Sequence, residues 1–127
     1  MATPEPPPIL DGARVLEYAP FDAAIASSRA SAVVGGIAVD LQNVAGLVIV
    51  EDLANGSVFL LHCSGDWETV TAATVADPPA ARALAETSFP GAGRLWRKYR
   101  ELTAEERAEV ESTRRFLREL LENDSDA

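Results

Sequence analysis

Two closely spaced turn signals between residues 47 and 74 constrain the fold of this chain more than any other feature. Three runs of strand-forming residues follow one another in this region, at residues 45–53, 58–63 and 67–74. Asn55-Gly56 separates the first two runs, and Gly65-Asp66 separates the second from the third. Asn and Gly tolerate positive φ, which a tight type I′ turn requires. Runs rich in β-branched residues with short connections predict an antiparallel β-meander.

The middle run is predicted to be a central strand. Side chains alternate between the faces of a strand. This places Val58, Leu60 and His62 on one face, and Phe59, Leu61 and Cys63 on the other. Both sets are largely apolar, so we expect cover on both faces of the sheet. The third run carries more polar residues and is expected nearer an edge.

A helix is predicted directly after the meander. Asp77 is a suitable N-cap, and Pro78 suits the first helical position, where its missing N–H costs nothing. The alanine-rich sequence propagates the helix until Pro90-Gly91. Two stripes are expected to seat it on the sheet, formed by Ala81, Leu84 and Ser88 and by Ala85 and Phe89.

A second, longer helix is predicted near the C-terminus. Thr103 and Glu106 form a capping-box pattern, and the helix should run to about Glu122. Its apolar stripe consists of Val110, Phe116, Leu117, Leu120 and Leu121. This stripe could pack on the sheet or pair with a second copy of the chain, which would make a homodimer.

The segments before the meander are less regular. Residues 1–10 are proline-rich and are expected to be a disordered tail. Residues 14–19 alternate as a first strand does, whereas residues 22–30 fit either a loop or a single helical turn. Residues 31–42 predict two short strands about Gly35-Gly36, a pair that lacks the further residues of a phosphate-binding loop.

The whole pattern predicts an α+β fold, with an antiparallel sheet of four to six strands, one central helix and a long C-terminal helix. Residues 11–122 should form a single domain, followed by a polar tail at 123–127. Residues 93–102 are expected to form a short amphipathic helix. Its basic residues, interleaved with Trp96 and Tyr99, could bind single-stranded nucleic acid, with the two rings stacked on the bases. The favoured interpretation is that the aromatic rings lie in the core and the cations are solvated.

Charge narrows the classes of partner. Eleven basic and twenty acidic residues give a net charge of −9. This disfavours nonspecific binding to nucleic acid and favours a basic protein partner. The single cysteine forms no intramolecular disulfide, which fits a reducing cytoplasm. No signal peptide is expected, and no apolar run approaches the ~20 residues of a membrane helix.

No group of residues predicts catalysis, a cofactor or a metal. His62 and Cys63 are the only histidine and cysteine, and as strand neighbours they point to opposite faces. A structural metal site usually needs at least two such ligands. Carboxylates near the hairpin ends could hold a cation, but they lack EF-hand spacing. Ser64 lacks the preceding glycine of a nucleophile elbow.

The region from Gly56 to Trp96 resembles a family of small uncharacterised bacterial proteins. The shared features are a strand ending in Leu-His-Cys, then Gly-Asp-Trp, an Asp-led helix, Phe-Pro-Gly and a later Trp. Ser64 stands where that family often has Asp, and Phe89 where it often has Tyr. The resemblance implies no catalytic residues. Small acidic proteins of this build also resemble immunity proteins, which neutralise bacterial toxins.

Two functional hypotheses follow. The first is a non-enzymatic, immunity-like protein whose acidic surface occludes a basic, toxin-like partner. Its expected contact residues are Glu51, Asp52, Asp66, Trp67 and Glu68. The alternative is a small-molecule-binding or enzymatic domain with a pocket between sheet and helices near His62.

Overall fold

The computed structural model describes residues 5–21, 32–34, 37–39 and 44–125, with backbone alone at 32–34, 37–39 and 123–125. The strands are β1 (Ile9–Leu10), β2 (Ala13–Pro20), β3 (Ala32–Val34), β4 (Ile37–Val39), β5 (Gly46–Asp52), β6 (Val58–Cys63), β7 (Thr69–Val75) and β8 (Arg97–Lys98). The helices are α1 (Pro78–Ser88) and α2 (Ala104–Ser125), with a 3₁₀ turn at Ala92–Arg94. Predictions for residues 1–4, 22–31, 35–36, 40–42 and 126–127 fall outside the described residues.

The main sheet is antiparallel and has the order β1-β2-β5-β6-β7, with β8 pairing β2 beside β1. The predicted meander is confirmed as β5-β6-β7, with β6 between its two neighbours and β7 at the end. β3 and β4 pair with each other as a separate hairpin, so the two short strands predicted in this region are confirmed. The chain therefore has the predicted α+β fold.

The sheet curls so that the two ends of its strand order approach each other. Thr69, at the start of β7, donates a hydrogen bond of 2.6 Å to Asp11 Oδ2, in the turn between β1 and β2. The face enclosed by this curl is called the concave face. Its buried residues are Ala13, Val15, Tyr18, Val48, Val50, Leu61, Cys63 and Trp67.

Helix α1 covers the opposite face, called here the helix-covered face. Ala81, Ala85 and Phe89 are fully buried there against β5 and β6. Asp77 Oδ1 accepts the Ala80 N–H at 2.9 Å, so the predicted N-cap is confirmed. The expected role of Leu84 is wrong, because this side chain is 39% exposed. The two small alanines let the helix backbone approach the sheet, and Leu84 lies beyond their stripe.

A type I′ turn is predicted at Asn55-Gly56, but the structure has its two-residue hairpin turn at Asp11-Gly12. Asn55 does not have a positive φ, so Asn55-Gly56 is not a type I′ turn. Asp52 Oδ1 instead accepts the N–H groups of Ala54 and Asn55 in a longer loop. Asp11 and Gly12, with φ of 51° and 77°, have the positive values that a type I′ hairpin needs.

The N-terminal segment is packed from residue 5 onward, in contrast to the tail expected over residues 1–10. Pro6 is fully buried, and its carbonyl accepts a 2.8 Å hydrogen bond from the Tyr99 hydroxyl. Glu5 pairs with Arg100 at 2.9 Å. The prolines exclude a helix here, but they do not prevent the segment from packing against Tyr99 and pairing with Arg100.

The prediction of an amphipathic helix over residues 93–102 is wrong. The 3₁₀ turn ends at Arg94, and Arg97–Lys98 then forms β8 along β2. The Tyr99 N–H continues this pairing by donating to the Leu16 carbonyl at 2.9 Å. An open β2 edge thus competes successfully with local helical spacing, which is a weak preference.

Helix α2 begins as predicted. The Glu106 N–H donates to Thr103 Oγ1 at 3.1 Å and the Thr103 N–H donates to Glu106 Oε1 at 2.8 Å, so the capping box is confirmed. Val110 is buried with Leu53 and Leu102. Phe116, Leu120 and Leu121 are 59%, 45% and 49% exposed. Pairing of two copies through this helix stays a prediction. No helix among the described residues is long and apolar enough to cross a membrane.

Candidate functional site

The five expected contact residues come from two separate places along the β5-β6 hairpin. Glu51 and Asp52 end β5 at one end of the β5-β6 hairpin, whereas residues 66–68 follow β6 at the other end. The six residues of β6 span about 20 Å. Asp66 and Glu68 are exposed, and Glu51 and Asp52 are half-buried.

Trp67 is not available as a surface contact, because it is only 5% exposed. Trp67 has a φ of 63°, a value that bulky residues rarely adopt. The turn that imposes this value is closed by a 3.0 Å bond from the Trp67 N–H to the Ser64 carbonyl. The ring then lies on the concave face, in an edge-to-face contact with Tyr18 at 6.0 Å. Gly-Asp-Trp is therefore a turn that supplies a core residue.

The concave face contains a pocket of about 230 Å³ between the first hairpin and the meander. Its apolar lining is formed by Leu10, Ala13, Val50, Phe59, Leu61 and Ala72. Its polar lining is formed by Asp11, Asp52 and Thr69. Pockets of protein ligand sites are typically apolar with a few polar groups that orient the ligand.

Both pocket carboxylates are held in place through one oxygen. Asp11 Oδ2 accepts from the Thr69 hydroxyl, and Asp52 Oδ1 accepts two backbone N–H groups of its loop. The described residues donate nothing to the second oxygen of either group. An oriented carboxylate whose second oxygen accepts no hydrogen bond from the described residues is suited to binding an ammonium or guanidinium group. The pocket can therefore take a side chain with an apolar stem and a cationic head.

Asp11 and Thr69 were not recognised as site residues from the sequence, although a signal for the first was present. Asp-Gly between apolar residues is a strong hairpin signal. No local signal connects Thr69 to Asp11, which lies 58 residues away along the chain.

Cys63 is fully buried on the concave face and is not a poised nucleophile. Burial and, to a smaller extent, the Asp11 charge raise the pKa of its thiol to about 12, and the neighbouring Thr69 side chain partly opposes this rise. The thiol is therefore protonated at neutral pH, and the thiolate is the reactive form.

His62 lies on the helix-covered face, with its ring centroid 5.9 Å from that of Phe89. It is 4% exposed, and its Nδ1 has no hydrogen-bond partner among the described residues. Burial lowers the pKa of the imidazole, while a backbone hydrogen bond with Thr71 partly raises it. The imidazole and the thiol therefore face away from each other, as strand parity predicts.

A larger groove of about 360 Å³ lies between β2 and the first half of α2. Its charged lining is formed by Arg14, Glu101, Arg107, Glu111 and Arg114. Arg114 pairs with Glu111 at 2.7 Å, and Arg107 donates to the Leu102 carbonyl at 3.0 Å. Since these long side chains carry both signs and partly pair with each other, the groove has less selectivity for one charge than the concave pocket.

Among the residues that the structure describes, no group of three or more His, Cys, Asp or Glu side chains could hold a metal ion. Comparison with known proteins adds no assignment: no family model, no curated protein and no solved structure matches the chain. The resemblance to small bacterial proteins therefore stays a prediction.

Proposed function

We propose that this protein is a non-catalytic, cytoplasmic binding protein that captures a basic protein partner on its concave face. The observation that carries the proposal is the apolar pocket with Asp11 and Asp52 at its polar edge. It is supported by the net charge of −9 and by the buried, protonated thiol of Cys63. An immunity-like role, in which a toxin is occluded, is one form of this function.

Specificity and rate have separate sources in this proposal. The overall negative charge attracts a basic partner over roughly 10 Å at ordinary ionic strength, which mainly raises the association rate. The pocket then selects a lysine or arginine side chain, because the floor of Val50, Phe59 and Leu61 accommodates its methylene stem. Asp11 and Asp52 orient the cationic head.

The proposal can be tested with the peptide acetyl-Lys-Thr-Val-Thr-Arg-Thr-Val-Thr-Lys-amide and with an analogue that carries citrulline in place of arginine. Citrulline retains the shape of arginine and removes its charge. NMR titration of isotope-labelled protein should show shift changes centred on Val50, Leu61 and Ala72. The arginine peptide should bind at least about tenfold more tightly, since a charge-assisted hydrogen bond contributes about 1.5–3 kcal/mol.

The matched variants are Asp11→Asn with Asp52→Asn, and Glu105→Gln with Glu109→Gln, two exposed positions on α2. Each pair removes two negative charges, and asparagine preserves the acceptor oxygens of both turns. Only the first pair should abolish the preference for arginine over citrulline. Equal weakening by both pairs would mean that the peptide senses net charge alone, and the proposed pocket would be rejected.

A further inference from the structure

The two edges of the main sheet differ in how they are protected. One edge is made by β1 and β8, which have two residues each. Prolines precede β1, and β8 consists of Arg97 and Lys98, both exposed. Short strands, prolines and cations are the usual means by which proteins block edge-to-edge pairing.

The other edge has none of these features. β7 has seven residues, Thr-Val-Thr-Ala-Ala-Thr-Val, without a charge or a proline. It pairs with β6 on one side and with none of the described strands on the other. Its single irregularity, a bulge opposite His62 and Cys63, lies at its beginning, so the rest of the strand stays regular. An unprotected edge of this kind is a template for an added strand.

The charges that flank β7 indicate which strand would fit. Asp66 and Glu68 precede it, Asp77 follows it, and all three are exposed. An added segment therefore meets an uncharged, β-branched centre with negative charge at both ends. This arrangement is complementary to an extended segment that carries lysine or arginine near both of its ends.

A second copy of the chain fits this edge poorly. In a two-fold antiparallel β7–β7 pair, Asp66 and Glu68 of each copy lie beside Asp77 of the other. Like charges at neighbouring cross-strand positions destabilise a sheet. Two molecules of net charge −9 also repel each other before they meet.

We infer that β7 is the docking edge for an extended, Lys/Arg-flanked segment of the basic partner, which pairs with it as an additional strand. This inference rests on the proposed function and specifies how the partner is recognised. Thr69 and Ala72 belong both to β7 and to the pocket. Alternate side chains of the added strand thus lie on the concave face, where one cation reaches the pocket. Backbone pairing supplies affinity, and the pocket supplies specificity.

The test uses the same arginine peptide and an analogue that is N-methylated at alternate residues along one edge. N-methylation removes the N–H donors of that edge but leaves every side chain and charge in place. Both alternate sets are made, since only one set faces β7 in a given orientation. One N-methylated analogue should bind at least about tenfold more weakly, and hydrogen exchange of β7 amides should slow with the parent peptide.

Protein variants provide an independent test. Thr74 is exposed on β7 and does not line the pocket. Thr74→Lys places a cation beside the incoming strand and should weaken the parent peptide about tenfold, whereas Thr74→Val should not. Circular dichroism and thermal unfolding check that both variants fold.

The outcomes separate the two proposals. If the N-methylated analogues and Thr74→Lys leave binding unchanged while the citrulline analogue still binds weakly, strand pairing is rejected and the pocket stands. If N-methylation weakens binding while arginine and citrulline peptides bind alike, strand pairing stands and the pocket is rejected. If neither N-methylation nor the replacement of arginine by citrulline weakens binding, both strand pairing and the pocket are rejected.

Discussion

Trp67 lies so close to Gly46 that a Cβ atom built on the glycine would be 2.7 Å from Cζ3 of the indole. The glycine starts β5, and the tryptophan belongs to the turn that follows β6. Gly46 does not have a positive φ, so its requirement is for space rather than for backbone freedom. The packing of the concave face therefore depends on the absence of a Cβ at Gly46 and on the positive φ of Trp67.

Gly46→Ala is expected to destabilise the protein by about 1–3 kcal/mol, because the indole must move out of a packed site. Urea unfolding followed by tryptophan fluorescence measures the change. Gly65→Ala is the control, since its Cβ would find its nearest neighbour only at 4.0 Å. This control should change the free energy of unfolding by less than about 0.5 kcal/mol. Equal effects of the two substitutions would contradict the proposed packing.

Phe89 and Phe116 offer a second matched pair. Phe89 is fully buried and lies with its ring centroid 4.8 Å from that of Phe21, whereas Phe116 is 59% exposed on α2. Phe89→Ala should cost about 3–5 kcal/mol, through lost burial and an unfilled cavity. Phe116→Ala should cost less than about 0.5 kcal/mol in the monomer. Chemical denaturation of dilute protein compares them; a large effect of Phe116→Ala that grew with protein concentration would instead indicate self-association.

His62 should titrate below 6.5, the ordinary pKa of histidine, because burial lowers the pKa of its imidazole. Since it is the only histidine, one resonance in a proton NMR titration reports it. Below pH 6.5 the unfolded chain binds more protons at this site than the folded chain does. The free energy of unfolding should therefore fall as the pH drops from 6.5 toward the folded pKa. A folded-state titration at or above the value of the urea-unfolded chain would refute this burial effect.

Glu106 should make stability depend on pH in a lower window. Arg100 holds the pKa of this carboxyl down at about 2, with help from the Thr103 N–H, against an ordinary value of 4.5. Below 4.5 the unfolded chain takes up the proton first, so this contribution is lost as the pH falls from 4.5 toward 2. Glu106→Gln should flatten that part of the stability curve, and the control Glu105→Gln should not. High salt should reduce the effect of this exposed pair.

Local signals were sufficient for the meander, for both helix starts and for the opposite orientations of His62 and Cys63. The carboxylate of Asp77 and the hydroxyl of Thr103 cap helices through bonds to residues three positions away. Strand parity is equally local. These features depend on near neighbours in the chain, so a pattern of a few residues specifies them.

Features that depend on distant residues could not be predicted in the same way. Residues 93–102 have helical spacing, but Arg97 and Lys98 pair with β2 because that edge offers unpaired carbonyl and N–H groups. The sequence predicts Trp67 as a partner contact, but its ring packs in the core, in the space left by Gly46. Pro6 was assigned to a tail, and the Tyr99 hydroxyl holds it in place.

The amino-acid order by itself thus determined an acidic α+β domain with a three-stranded meander and two capped helices. The curl of the sheet was decided only in three dimensions, where Asp11 meets Thr69 from opposite ends of the strand order. That curl creates the pocket, and β7 ends the strand order without a second partner among the described strands. Neither is encoded in a short stretch, because each depends on which distant backbone groups find partners and which do not.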